Sequence, residues 1–186
     1  RKGKSPHVLI MTATPIPRTM ALSVYGDLDV SFIKGMPPGR HPVKTYVVGS
    51  HMLQRIFRFM KKEMESGHQA YVVCPLVEQS EKQDLAAAIS VYENLRDHVF
   101  PQFGVGLVHG RMKNAEKEQV MEDFRKGKFK LLVATSVIEV GVNVPDATVM
   151  FVYGADRFGL SQLHQLRGRV GRGKEQAYCV LYTDNQ

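Results

Sequence analysis

Two arginines and a glutamine recur at helical spacing near the end of the chain. Residues 162–173 have the sequence QLHQLRGRVGRG. A helix over this segment would place Gln165, Arg169 and Arg172 within a sector of about 60°, because each residue advances about 100° around the axis. A guanidinium is always charged and offers a planar fork of donors, which suits phosphate oxygens. We therefore expect this stripe to bind a phosphorylated ligand such as a triphosphate.

The other residues of the segment are expected to hold the stripe against a core. Leu163, Leu166 and Val170 fall on the opposite side of the same helix. Gly168 and Gly171 lie beside the arginines, although glycine costs about 1 kcal/mol in a helix interior. Their presence indicates that something approaches the backbone closely. The alternative is a solvated basic helix, which is the more common explanation of an arginine cluster.

Three further motifs carry polar side chains, and each follows an apolar run. Thr12 and Thr14 belong to TATP, Arg111 belongs to HGRM, and Thr135 and Ser136 belong to VATSVIEVGVNVP. Ligands of open α/β sheets bind at the carboxyl ends of strands, so we expect these motifs on one rim. Hydroxyl and guanidinium groups there suit a phosphate backbone, although each motif alone is equally compatible with a packed loop.

Several other residues are not expected to do chemistry. Residues 3–5, GKS, imitate the end of a phosphate-binding P-loop, but Pro6 and a strand follow where that loop requires a helix. His109 is expected to be a hydrogen-bonded structural histidine. The 7 histidines show no ligand spacing with cysteines or carboxylates, so no metal site is expected. Without a P-loop and a carboxylate pair for Mg²⁺, we expect no nucleotide hydrolysis by this chain alone.

The composition is that of an ordinary globular protein with an excess of positive charge. Hydrophobic residues make up 44% of the chain and charged residues 23%, and the formal net charge is +7. This excess is compatible with a polyanionic partner but does not require one. The apolar runs are too short to span a bilayer. Cys74 and Cys179 lie inside apolar runs, and we expect buried free thiols in a reducing cytoplasm.

Short β-branched and aromatic runs alternate with longer amphipathic segments. The predicted strands are 7–12, 29–33, 43–48, 69–74, 105–109, 130–134, 148–153 and 177–182, and the predicted helices are 50–66, 84–100 and 114–127. Most of the strands are continuous apolar runs, which indicates burial on both faces. The alternation predicts an α/β fold with an open, mostly parallel sheet and helices on both faces. KGMPPGRHP at 34–42 has the composition of a linker and predicts a domain boundary, although a long surface loop is the alternative.

In chain order, TATPIPRT, VHGRM, LLVATSVIEVGVNVP and QLHQLRGRVGRG resemble motif III, the element after motif IV, motif V and motif VI of superfamily-two helicases. Together with YGDLDVSFI and PPGR they look most like the RecG family of branch-migrating DNA helicases. The alternative is the translocase half of a transcription–repair coupling factor. The resemblance implies a motor of two RecA-like domains with ATP in the cleft between them. It assigns 1–36 to the tail of the first domain, 37–42 to the linker and 43–186 to the second domain.

The resemblance also implies roles at the nucleotide. Arg172 would reach the γ-phosphate as an arginine finger, with Arg169 beside it. Gln165, Gly141 and Asn143 would line the nucleotide. Position 143 is commonly aspartate in the superfamily, and asparagine keeps the acceptor but lacks the charge. The Mg²⁺ ion would be held by the first motor domain, which would be the partner of this one.

The remaining motifs are implied to contact DNA. Arg111, Thr135 and Ser136 would hold the backbone of branched double-stranded DNA at forks and Holliday junctions, and Thr12 and Thr14 would couple hydrolysis to movement. The sequence thus favours one motor domain of an ATP-dependent DNA translocase. A nucleic-acid-binding module without ATPase activity is the second hypothesis, and a small P-loop kinase or ATPase is the third, which the position of GKS disfavours.

Overall fold

The computed structural model of the chain describes residues 9, 11, 31, 41–76, 81–135 and 144–184. The chain divides into two compact units, Arg1–Met36 and Pro37–Gln186. All the elements below lie in the second unit. The strands predicted at 7–12 and 29–33 lie largely outside the described residues. Five predicted site residues also lie outside them: Thr12, Thr14, Ser136, Gly141 and Asn143.

Six parallel strands from the described part of the chain form one sheet, in the order β1-β6-β5-β2-β4-β3. They are β1 (Lys44–Val48), β2 (Gln69–Cys74), β3 (Val105–Val108), β4 (Leu131–Thr135), β5 (Ala147–Val152) and β6 (Tyr178–Tyr182). Each strand lies within one residue, at either end, of a strand predicted from the sequence. The predicted α/β class with a parallel sheet is confirmed.

Burial on both faces explains the continuous apolar runs of the central strands. Successive residues of a strand point to opposite faces of the sheet. In β2, Val72 and Cys74 belong to the hydrophobic cluster on one face, and Tyr71 and Val73 belong to the cluster on the other. Both faces of the sheet therefore have to be covered by helices.

Within the described ranges, four α-helices supply that cover: α1 (Leu53–Glu65), α2 (Glu81–Asn94), α3 (Asn114–Arg125) and α4 (Leu160–Arg167). Buried residues of α1 and α2 join one cluster, and buried residues of α3 and α4 join the other. The predicted end of α1 is confirmed because Gly67 has φ 95°, a conformation that glycine adopts without strain. None of the helices in the described ranges is long and apolar enough to cross a bilayer.

The second helix differs from its prediction at both ends. It begins at Glu81 rather than Asp84, and after Asn94 the chain forms a π-helical turn, Leu95–Val99. Asp84 is therefore not the first residue of the helix. Its carboxylate instead lies within the helix and accepts two hydrogen bonds from Arg157, at 2.9 and 3.0 Å. A partner 73 residues away therefore explains this aspartate.

Candidate functional site

The two arginines of QLHQLRGRVGRG lie in a turn and not on a helix. The helix α4 ends at Arg167, and Gly168 follows as its cap with φ −71°. Three residues later, Gly171 has φ 72°, which ends any helical path. The predicted helical stripe through Gln165, Arg169 and Arg172 is therefore wrong beyond Arg167. We call residues 168–173 the arginine turn.

The predicted packing of this segment is confirmed. Leu166 and Val170 are buried in the cluster that covers one face of the sheet, and Leu163 is partly buried against the same cluster. Gln165 is exposed, and Arg169 and Arg172 are partly buried. The apolar side chains thus fix the turn to the sheet while the polar ones remain at the surface.

A close approach to the backbone occurs at Gly171, and it is made by the protein itself. Its N–H lies 3.4 Å from the carbonyl oxygen of Ala147. A Cβ atom at Gly171 would lie 3.1 Å from both Ala177 Cβ and Val43 Cγ2. At Gly168 a Cβ would meet only carbonyls of its own helix, at 3.4 and 3.6 Å, which is ordinary contact. The prediction from the two glycines therefore holds at Gly171 and is wrong at Gly168.

Gly173 extends the same tight packing. A Cβ atom there would lie 2.7 Å from the carbonyl oxygen of Pro145, a distance that real Cβ atoms do not reach. No role was predicted for Gly173, although the repeated glycine in RGRVGRG is a signal for it. The arginine turn therefore packs tightly against the chain around the start of β5, with Gly173 against Pro145 and Gly171 against Ala147.

Tyr71 lies near enough to both guanidiniums of the arginine turn for their charges to affect its pKa. Tyr71 of β2 is buried, and its ring packs edge-on against Phe124 with the centroids 5.1 Å apart. Burial raises the pKa of Tyr71 to about 12, while the charges of Arg172 and Arg169 oppose that rise. Tyr71 is thus a neutral phenol at pH 7. Its position near the arginines could not be predicted from the sequence, since Tyr71 lies within a plain apolar run.

A second group of polar side chains lies where β3 and β4 end. These strands are neighbours, with Val108 opposite Ala134, so His109 follows beside Thr135. Arg111 is exposed in the turn after β3, where Met112 N donates to His109 O at 3.1 Å. The structure therefore brings Arg111 and Thr135 to one edge of the sheet, as the motifs predict.

His109 differs from its prediction, and both His109 and Thr135 carry a buried polar atom without a partner among the described residues. The Thr135 side chain is buried, and its Oγ1 has no hydrogen-bond partner among the residues that the structure describes. The same is true of Nδ1 of His109, so the expected structural hydrogen bond is absent at that nitrogen. Burial lowers the pKa of His109, helped by the charges of Lys117 and Arg111.

The two groups lie at opposite ends of the parallel strands. The arginine turn contacts Ala147, which pairs with Gln69 at the start of β2. Thr135 pairs with Cys74 at the end of β2. Six residues of extended chain separate these ends by about 17 Å. The arginine turn can therefore bind one phosphorylated ligand while Arg111 and its neighbours bind another.

An ion pair fixes the loop that leads into α4. Arg157 lies in a short 3₁₀ turn after β5, and its Nη2 donates hydrogen bonds to both carboxylate oxygens of Asp84 in α2. Asp84 is buried, whereas 40% of the Arg157 side chain is exposed. Because both oxygens of the carboxylate are engaged, the pair sets the direction in which the chain enters α4.

The Helicase conserved C-terminal domain family matches residues 50–174, which is most of the chain and includes both groups of side chains. The chain belongs to this family. The match covers every described element of the second unit except β1 and β6.

The helicase domain is also similar to curated proteins named ATP-dependent DNA helicase RecG. The protein of Bacillus subtilis is 55% identical over 183 residues, which are 98% of this chain and 27% of the relative. That of Thermotoga maritima is 51% identical over 180 residues, or 97% of this chain and 23% of the relative. The resemblance predicted from the motifs is confirmed. The chain spans about a quarter of the length of these relatives.

Solved structures show the same relationship. A structure of RecG bound to a three-way DNA junction matches with a TM-score of 0.75 and 48% identity, covering 92% of this chain and 22% of that one. The helicase Lhr of Mycobacterium smegmatis matches with a TM-score of 0.59 and 18% identity, over 93% of this chain and 23% of that one. The second likeness shows the fold alone.

Proposed function

We propose that this helicase domain is the second RecA-like motor domain of an ATP-dependent double-stranded DNA translocase, which remodels stalled forks and Holliday junctions in repair and recombination. The observation that carries the proposal is the likeness, over 92% of the chain, to a RecG structure bound to a three-way DNA junction. Residues 1–36 would be the tail of the first motor domain, 37–42 the linker and 43–186 the second domain. The whole motor would work in the cytoplasm.

The arginine turn would supply half of an ATP site. Arg172 would act as the arginine finger on the γ-phosphate, with Arg169 beside it and Gln165, Gly141 and Asn143 along the nucleotide. The clamped backbone at Gly171 supports this role, because a finger has to be held in place before the phosphate arrives. The Mg²⁺ ion and the P-loop would belong to the first motor domain.

The edge formed by the ends of β3 and β4 would contact DNA. Arg111, Thr135 and Ser136 would hold phosphates of one strand, and Thr12 and Thr14 would couple ATP hydrolysis to movement. The positive charges of Arg111 and Lys117 beside His109 support this assignment, since they favour an anion at this edge. Contacts of this kind set the position of the DNA and carry no sequence preference.

The proposal is tested with the full-length protein, Mg²⁺, ATP and a synthetic three-way DNA junction. We expect junction-dependent ATP turnover and separation of the strands. Arg111→Ala should weaken junction binding severalfold and reduce the slope of log affinity against log salt by about 1. At saturating junction it should keep most of the turnover. Lys61→Ala, an exposed charge on α1, is the matched control and should bind as the wild type does.

Two results would contradict the proposal. Junction binding without any ATP turnover by the full-length protein would favour a nucleic-acid-binding module. If Arg111→Ala keeps the wild-type slope of log affinity against log salt, Arg111 does not contact the DNA.

A further inference from the structure

Two residues at the ends of the neighbouring strands β3 and β4 each carry a buried polar atom without a hydrogen-bond partner in the described part of the chain. The atoms are Nδ1 of His109 and Oγ1 of Thr135, and each exposes less than 1 Å². The pairing of Val108 with Ala134 makes the two residues neighbours. Most buried polar groups in folded proteins are hydrogen-bonded, so two exceptions on neighbouring residues point to a ligand. We call this pair the strand-end notch.

The charges around the notch select the kind of ligand. Burial lowers the pKa of His109, and the nearby charges of Lys117 and Arg111 lower it further. Glu116 opposes them, but its Oε2 accepts a hydrogen bond from the Lys113 N–H at 3.0 Å, at the start of α3. The first turn of α3 adds the positive end of a helix dipole. An anion is therefore favoured over a cation or a neutral group.

We propose that His109 and Thr135 together bind the oxygens of one DNA backbone phosphate, with Nδ1–H and Oγ1–H both donating. The inference rests on the proposed DNA-binding function and adds His109 to it. It also changes the expected role of this residue from a structural histidine to a DNA contact.

Both atoms are covered in the chain without DNA, so phosphate binding requires a local movement. His109 is partly exposed whereas Thr135 is buried, so the movement has to turn the His109 ring and uncover the Thr135 hydroxyl. A phosphate bound to Nδ1–H also favours the imidazolium and raises the pKa of His109 above its lowered value in the free chain. Binding then takes up a proton, and affinity rises as the pH falls from 8 to 6.

The test is fluorescence anisotropy of a labelled three-way junction, titrated with full-length protein variants. His109→Leu and Thr135→Val should each weaken binding about tenfold, the usual effect of losing a hydrogen bond to a charged group. The double variant should lose clearly less than the hundredfold product in junction affinity, because both substitutions remove contacts to the same phosphate.

His109→Asn separates binding from folding. Its side-chain amide keeps a donor near the position of Nδ1, so we expect most of the affinity to return. The rise in affinity between pH 8 and 6 should be lost, since asparagine does not titrate. This comparison holds even if His109→Leu fails to fold, which its thermal unfolding would show.

The outcomes distinguish this inference from the function on which it rests. If His109→Leu and His109→Asn bind with wild-type affinity and pH dependence while Arg111→Ala is weakened, DNA still binds this edge and the role of His109 is wrong. If Thr135→Val and Arg111→Ala also bind as the wild type does, the DNA contact at this edge is itself wrong.

Discussion

Burial determines which single side chains of this domain are reactive. Cys74 and Cys179 are free and buried, and they lie in clusters on opposite faces of the sheet. Burial raises the pKa of Cys74 to about 12 and that of Cys179 to about 11. The prediction of buried free thiols is confirmed, and the separation across the sheet keeps the two from pairing.

This chemistry predicts that neither thiol reacts in the folded chain. The thiolate is the nucleophile, and at pH 8 it would be on the order of a thousandth of each thiol or less. With a disulfide reagent at pH 8, we expect no colour from the native chain within minutes and two equivalents after unfolding in guanidinium. Rapid release of one equivalent from the native chain would show that a cysteine lies at the surface.

At the scale of elements, the arginine turn depends on Gly171 more than on the helix before it. Gly171→Ala puts a side chain into a left-handed conformation and against Ala177 and Val43 at 3.1 Å. The left-handed conformation alone costs about 1–2 kcal/mol for a residue with a Cβ. We expect urea unfolding of the chain to show a loss of about 2 kcal/mol.

Gly168→Ala is the matched control for that substitution. Gly168 has φ −71° and space for a methyl group, so its replacement should be neutral or slightly stabilising. Equal stability of the two variants would mean that the contacts around Gly171 do not hold the turn.

The elements also show how far the sequence could predict the structure. In the predicted helix 50–66 the apolar residues Phe57, Met60 and Met64 follow helical spacing. They are the buried residues of α1, because one face of a helix against one core determines that pattern. The end of α4 could not be predicted in this way. It depends on how Gly171 fits against Val43 and Ala177, and these contacts form only in the folded chain.

The candidate site could likewise be predicted only in part from the sequence. Motif order predicted which residues gather at the ends of β3 and β4, because parallel strands bring their ends to one edge. The sequence did not predict that Tyr71 would lie near both arginines, or that His109 would lack a partner at Nδ1. Both depend on packing between segments far apart in the chain, which spacing along one segment does not record.

At the scale of the whole molecule, the sheet separates two sets of positive charge. The arginine turn lies at the start of β5, and the strand-end notch lies at the end of β4. A rigid parallel sheet between them would let a nucleotide and a DNA strand be bound at a fixed separation. In the proposed motor, closure of the first domain on the arginine turn would then move the DNA contacts as one body.

In the proposed motor, Arg172 acts on ATP and not on DNA. The most direct test is the ATP turnover of full-length Arg172→Ala at saturating three-way junction. The control is Arg167→Ala, which replaces an exposed arginine at the end of α4. Arginine fingers contribute about 10³–10⁵ in rate, so we expect turnover to fall at least about a thousandfold while junction affinity stays within about threefold. Arg167→Ala should turn over ATP at nearly the wild-type rate. Wild-type turnover by Arg172→Ala, or a loss of junction affinity that accounts for the lower rate, would contradict the claim.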